Sequence, residues 1–473
     1  MEIIQTDRHK DPSKDEFKLF LGVCRDAAEE DDHYKIASIT LKTRSLNPLA
    51  VLESIYERDE FHFYIERPSE GIALAGAEAV VLGTFSGADR VQAVKAWSEE
   101  VLEHCVAVGD LEAPMAGPHF YVGLTFEETV ESGAAFAPAT IFLPRWQVAK
   151  TGSSTTAVAN FRVDPESDLD ALVEKLWAAY EKFNTFSYRD SETPEPSLVL
   201  EQSEVGESGD FQKSVVVGLE KIDAGEVDKV VLARAIDAEF DRPFRPLVTL
   251  AGLRERFTSC FAFSFENDHG QSFIGATPEL LIRVADKTFF TEALAGTAPR
   301  GVGAGEDAQN AQSLLNSAKD LREHAHVVDS IRRSLSAIGI ELKHPGSPAL
   351  RTLPNVYHLH TPLEGALPEG PHLLDLIDQL HPTPAVGGTP REKAVPIIAQ
   401  LEPFERGLYA GALGYFDHTG EGEFCVGLRA GLVDGKSARL YAGAGIVAGS
   451  DPQAEWRETE MKFAAIRDAI AGE

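Results

Sequence analysis

From Phe211 onward the chain strings together short runs with strand character, and no helix of regular length alternates with them. KVVLARAIDAEF, FAFSF, SFIGA, LLIRVA and TFFTEAL follow one another, separated by turns such as ENDHG. β-Branched and aromatic residues at period two suit a pleated strand with one packed face. A parallel sheet needs a crossover of a dozen or more residues between strands, and a run of strands joined by short turns does not supply it. The pattern therefore predicts a mainly antiparallel α+β fold.

The first half is consistent with this. FHFYIER (61–67), AVVLGTF (79–85) and HFYVGLTF (119–126) read as strands. Apolar residues at helical spacing (Val91, Val94, Trp97, Val101, Leu102; then Leu169, Leu172, Leu176, Tyr180) predict helices over 91–105 and 169–182. The segment 190–210, rich in Ser, Glu and Pro, is an exposed connection, either a domain boundary or a long surface loop. Phe211, Val215, Leu219 and Ile222 mark a helix ending before Gly225. GVGAGEDAQN reads as an acidic, glycine-containing insert leading to a long helix over about 318–338. Ser317 with Asp320 is its capping box, and Leu321, Ala325, Val328 and Ile331 or Leu335 form its buried stripe. The last third reads as strands and glycine turns. A final helix opens at Asp451-Pro452, with Trp456, Phe463, Ile466 and Ile470 as its apolar stripe.

Composition excludes several function classes. The 44 basic and 75 acidic residues give a formal charge of −31, a field that repels nucleic acid and anionic membranes. An anionic substrate would need local compensation from an Arg, a Lys or a metal ion. Four scattered cysteines form no C-x-x-C pair, which fits a reducing compartment rather than a zinc knuckle or disulfide frame. The N-terminus is polar and no apolar run approaches a bilayer span, so the expected location is the cytoplasm.

Against this background a set of ionisable residues stands out. Lys229 opens KVVLAR, and a lysine facing an interior cavity loses charge stabilisation and becomes a competent base. Glu279 follows the Gly-Ala-Thr-Pro turn and precedes an apolar strand, where a carboxyl can be held protonated as a general acid. Glu323 lies near the start of the long helix, while Glu455, Glu458 and Lys462 share one face of the last. Three carboxylates on two helices suit Mg²⁺, which takes few carboxylates and keeps several waters. Arg429 in CVGLRAG offers a bidentate grip on a carboxylate. GAGIVAGSDP is neither a Walker loop nor a dinucleotide fingerprint, yet its glycines precede a capped helix and could offer backbone N–H groups to an anion. Each residue alone has an ordinary reading too: a solvated strand-edge lysine, a surface-turn glutamate, an exposed Glu458–Lys462 pair, packed histidines.

Taken in order, KVVLAR, GATPELLIR, EALAGTAPRG, KDLREHAHVVD, HLHT, HPTPAVGGTP, ERGLYAGALGYFD, LRAG and YAGAGIVAGSDPQAEWRETEMK resemble the chorismate-utilising enzymes. That family includes isochorismate, salicylate, anthranilate and aminodeoxychorismate synthases. The likeness runs from about Phe211 to the C-terminus, and residues 1–200 match weakly. It implies one chorismate-binding domain over 1–473, with a large antiparallel β-sandwich core flanked by helices and the motifs in 211–470. It implies Mg²⁺ held by Glu323 and Glu458 with Glu455 nearby, the ring carboxylate of chorismate on the metal, and the enolpyruvyl carboxylate at Arg429 and the backbone of Gly443 to Gly445. His358, Thr361, Ala385, Val386 and Lys462 would complete the pocket.

Two positions separate the branches of the family. Lys229 is present, and ALAGT has Ala295 where the aminodeoxychorismate branch carries a nucleophilic lysine. The resemblance thus implies water as nucleophile, Lys229 as base, Glu279 as acid and isochorismate as product, for menaquinone or siderophore biosynthesis. The ~470-residue length leans to the menaquinone type, and the family to a monomer. The alternative is a salicylate synthase, which goes on to expel pyruvate. A non-catalytic chorismate-binding protein or an amidotransferase-partner subunit is the reading from a different class.

Overall fold

In the computed structural model, residues 1–4, 12–186, 197–343, 346–352 and 356–471 are described. Twenty-one strands among them join into one hydrogen-bonded network. Its pairings are antiparallel except at Cys105–Val108, which runs parallel to Glu2–Ile4 and to Lys35–Lys42. Strands from the two halves of the sequence pair directly: Phe261–Glu266 lies against His62–Arg67, and Ala412–Asp417 against His119–Leu124. The α+β architecture with a large antiparallel sheet is as the strand pattern predicts.

The predicted helices at 91–105 and 169–182 are Arg90–Glu103 and Leu169–Thr185, and the one from Phe211 is Asp210–Asp223. KVVLARAIDAEF is one strand, Lys229–Phe240. Of the supposed connection at 190–210, residues 190–196 lie outside the described residues, and Val199–Glu204 is a strand on the edge of Lys229–Phe240. The insert GVGAGEDAQN is no loop: a helix, Ala304–Asn316, begins within it. Glu306 and Asp307 occupy its first turn, where acidic side chains suit the helix dipole, and Leu314 is its buried residue.

The long helix is Ala318–Ser336, capped by Ser317 Oγ, which accepts the Asp320 N–H at 3.2 Å. Its buried face is His324, Val327, Val328, Ile331 and Leu335, so His324 takes the place expected for Ala325, which is exposed. The last helix, Pro452–Ala471, opens with Asp451 Oδ1 accepting the Ala454 N–H at 2.8 Å. It buries Phe463 and Ile466, while the Ile470 side chain lies outside the described residues.

Two packing relations position the site. Lys229–Phe240 pairs with Ser437–Ile446 from Val230↔Ile446 to Glu239↔Ser437, and the last helix packs on that second strand. Arg234 joins helix to sheet: it donates to Thr459 at 2.8 Å and lies over the rings of Trp456 and Phe463 at 4.9 and 5.3 Å. Ala318–Ser336 packs on Thr288–Pro299. Both glutamate-bearing helices are thereby fixed to the sheet by buried apolar faces.

Candidate active site

Lys229 is the first residue of its strand, whose outer edge is paired at Lys229–Val230 with the two-residue strand Gly388–Thr389 and from Ile236 with Val199–Glu204. Between these two strands, at Val231–Arg234, the edge has no ladder, and an uncovered strand edge must be satisfied in some other way. A buried ion pair does so here. Glu402 accepts the Ala233 N–H at 2.7 Å, and Arg406 donates to the Val231 carbonyl at 2.7 Å and to the Val386 carbonyl at 2.9 Å. Arg406 is 1% exposed and Glu402 4%, with 2.6 Å between them. The strand that carries Lys229 is thus fixed to the 381–387 segment without a ladder.

The Lys229 side chain, 13% exposed, crosses the face of the neighbouring strand at Gly445. A Cβ there would stand 2.9 Å from Lys229 Cε and 3.4 Å from Nζ. The glycine is required by that crossing. Nζ lies 3.2 Å from Glu323 Oε1. Two residues back along the same strand, a Cβ on Gly443 would lie 3.0 Å from the Tyr409 hydroxyl.

Glu279 sits in the turn between Gln271–Thr277 and Leu280–Ala285. Its N–H donates to Thr277 Oγ1 at 3.2 Å and its carbonyl accepts from Val426 N–H at 3.1 Å. Thr383 Oγ1 donates to the carboxyl at 3.3 Å. Burial, reinforced by the negative charge of Glu292, pushes the Glu279 carboxyl up to about 7, against the opposing pull of Thr383, Lys229 and Arg351. At neutral pH it therefore holds a proton much of the time.

Arg429 is half-buried with φ 47°, and among the described residues its guanidinium makes no hydrogen bond or ion pair. Burial draws it below its ordinary value. A desolvated cation held in the left-handed region with no protein counter-charge is suited to receive an anion. His358 lies near enough to feel it. Burial first, then the charges of Arg429 and Lys462, drop its imidazole to about 4, and Thr297 Oγ1 is 2.9 Å from Nδ1. His358 is neutral at physiological pH.

The remaining expected residues divide. Lys462 Nζ donates to the Gly443 carbonyl at 2.7 Å and pairs with Glu458 at 2.8 Å. Ala385 is half-buried beside Thr383 and Val386. Thr361 is turned inward: 2% exposed, its hydroxyl is 2.7 Å from His324 Nε2. The three glutamates expected at the metal do not close on one point, since among the described residues no three His, Cys, Asp or Glu side chains converge to hold an ion. Glu323 is paired with Lys229 and Glu458 with Lys462. Like-charged carboxylates repel, and each takes an ammonium in reach. As a donor set, carboxylate oxygens from two helices match a hard divalent cation.

Sequence reasoning missed Thr383, Tyr409, Glu292 and Arg351. Thr383 and Glu292 stand inside HPTPAVGGTP and EALAGT, where a polar residue within an otherwise packed strand or turn is the available signal. Arg351 carries no such signal.

The family of chorismate binding enzymes matches residues 23–471. This chain belongs to that family. As a chorismate binding enzyme it is 33% identical over 456 residues to isochorismate synthase MenF of Bacillus subtilis, covering 94% of this chain and 96% of the relative. It is 32% identical over 447 residues to the salicylate biosynthesis isochorismate synthase of Pseudomonas aeruginosa, covering 94% and 92%. Among solved structures it superposes on MenF, the menaquinone-specific isochorismate synthase from Escherichia coli, with a TM-score of 0.76 and 26% identity over 95% of this chain and 99% of that one. Anthranilate synthase component I from Streptococcus pneumoniae shares the fold at a TM-score of 0.67 and 20% identity. No helix among the described residues is long and apolar enough to cross a membrane.

Proposed function

We propose that this chorismate binding enzyme is an isochorismate synthase, an isomerase that moves the ring hydroxyl of chorismate from C4 to C2 for menaquinone or siderophore biosynthesis. The observation that carries the reading is the pairing of unlike groups. Glu279 holds a proton near neutrality, whereas Lys229, on a different strand, has its Nζ against a carboxylate and its stem across a glycine. Glu279 is equipped to give a proton, and we assign Lys229 the part of accepting one.

In this mechanism Lys229 accepts a proton from water as its oxygen bonds to ring C2. The ring double bonds shift and the C4–O bond breaks, with Glu279 supplying the proton that lets the hydroxyl leave as water. One water enters and one departs, so the sum is an isomerisation. Exchange with solvent then restores the neutral amine and the carboxylic acid. Arg429 receives a substrate carboxylate bidentately, and backbone groups around Gly443 to Gly445 take part in holding it. His358 contributes a neutral ring, which leaves the positive charge to Arg429 and Lys462. Glu323, Glu455 and Glu458 are the residues that would hold Mg²⁺, which when bound offsets the charge of the ring carboxylate.

Purified protein incubated with chorismate and Mg²⁺, without ammonium, tests the reading by product analysis. Isochorismate accumulating to a stable mixture with chorismate, and its loss in EDTA, is the expected result. Salicylate with pyruvate would move the chain to the salicylate synthase branch. Aromatic amine formed only when ammonium is added would make it an amidotransferase partner, and no conversion at all a binding protein.

A further inference from the structure

The turn that carries Glu279 is gripped from both sides by one buried ion pair. Arg351 Nη1 donates to the Pro278 carbonyl at 2.9 Å, and the Leu280 N–H donates to Glu292 Oε1 at 3.1 Å. Arg351 and Glu292 are themselves joined by two hydrogen bonds of 2.6 Å, Nη1 to Oε1 and Nη2 to Oε2. The backbone groups immediately before and after Glu279 thus end on the two halves of a single bidentate pair, whose planar fork fixes orientation as well as distance. Glu292 is 5% exposed, and its second oxygen is also 2.9 Å from His360 Nε2. Burial alone would raise its carboxyl, but the His360 contact and Arg351 hold it below the ordinary range, so it stays ionised.

We propose that the Glu292–Arg351 pair is the positioning device of Glu279, holding the backbone on both sides of it so that its carboxyl keeps one direction. The inference rests on Glu279 being the acid of the proposed reaction and goes beyond it to residues that touch no substrate. A turn held only by Thr277 and Val426 would leave the Thr383 hydroxyl alone to hold the carboxyl, and a misplacement of about 1 Å costs on the order of a hundredfold in rate. The charged and titratable groups that face Glu279 are Glu292, Arg351 and Lys229, with Tyr409 and Cys425 close by and the Thr383 hydroxyl bonded to it. Of these, only Glu292 and Arg351 hold its backbone. Glu292 drives the Glu279 proton affinity up and Arg351 draws it down, and their proximity makes each effect dependent on the other.

The test is a titration of Glu279 in wild type, Glu292→Gln and Arg351→Gln, followed by carboxyl-¹³C NMR of glutamate-labelled protein and assigned by the signal missing from Glu279→Gln. Glu292→Gln keeps the shape and the acceptor for Leu280 but removes the negative charge, so the midpoint is expected to fall by about one pH unit. Arg351→Gln removes the positive charge, and the midpoint is expected to rise. In Glu292→Gln, kcat should drop about tenfold or more with KM for chorismate within about twofold of wild type, while the thermal midpoint stays close. Midpoints that do not move, or that move in the same direction, overturn the proposal, as does a kcat loss matched by a proportional loss of folded protein. Should one variant fail to fold, the other still carries a signed shift. The titration needs no substrate and wild-type turnover is measured beside it, so failure of the pair is distinguishable from failure of the isochorismate synthase reading.

Discussion

Lys229 Nζ lies 3.2 Å from Glu323 Oε1, although the two residues belong to a strand and a helix 94 positions apart. The proposed base and a proposed metal ligand therefore share a contact.

Lys229→Ala tests this arrangement most directly. A general base contributes about a hundredfold to ten-thousandfold, so turnover of chorismate should fall by that order. The residue begins a strand whose ladder with Ser437–Ile446 starts at Val230, and its own pairing with Thr389 uses backbone groups that alanine keeps. Circular dichroism and the thermal midpoint should match wild type. Near-normal activity would remove Lys229 from the mechanism.

Gly445→Ala separates space from chemistry. The added methyl meets the far end of a flexible side chain, Lys229 Cε at 2.9 Å, so the chain can yield and the protein should keep most of its stability. The amine, however, must leave its place. A loss of kcat of about tenfold or more, with a thermal midpoint near wild type, is the expected result of steady-state kinetics and calorimetry. Full activity in this variant would show that the lysine does not act from across Gly445.

How much of this site was legible in the sequence depends on where each partner lies. The strand KVVLARAIDAEF and the helix from Phe211 were readable because their apolar residues repeat at the period of the element and the buried face is local. The helix Ala304–Asn316 was missed because Gly301, Gly303 and Gly305 dominate its entry, whereas the acidic first turn and the apolar Leu314 decide the outcome. His324 was passed over for Ala325 since hydropathy counts imidazole as polar, and the Thr361 hydroxyl across the interface helps to make its burial acceptable. The contact of Thr361 with His324 was not legible because its partner is 37 residues away. The Glu292–Arg351 fork joins residues 59 positions apart through strand pairing, and no local pattern announces such a contact.

Stability should respond to Glu279 in a direction opposite to activity. Burial pushes its carboxyl up to about 7 in the folded protein from the 4.5 of a free glutamate, so the native state binds the proton more tightly than the unfolded one. Its favourable contribution is full below pH 4.5, and it is lost as pH rises through about 7, where the half-buried group must ionise. Glu279→Gln has no such penalty. Relative to wild type it should gain on the order of 2 kcal/mol between pH 5 and pH 8, read from denaturant melts at both values, while losing turnover. A stability difference that does not change with pH would mean that the carboxyl is not held protonated by its surroundings.

Arg429 offers the cleanest division between binding and folding. Its guanidinium makes no hydrogen bond or ion pair among the described residues, so truncation breaks none, and its φ of 47° is one that a non-glycine residue adopts at a cost. Arg429→Gly removes that cost, about 1 kcal/mol, and should leave the protein at least as stable as before. The substrate carboxylate then loses its bidentate donor, and KM for chorismate should rise about tenfold or more, since a charge-assisted hydrogen bond contributes roughly 1.5–3 kcal/mol. Arg429→Lys keeps the charge without the fork, and it should recover part of that loss while remaining strained at the same backbone position. Equal KM values in wild type and Arg429→Gly would show that the guanidinium faces no ligand. A destabilised Arg429→Gly would instead assign the residue to the scaffold.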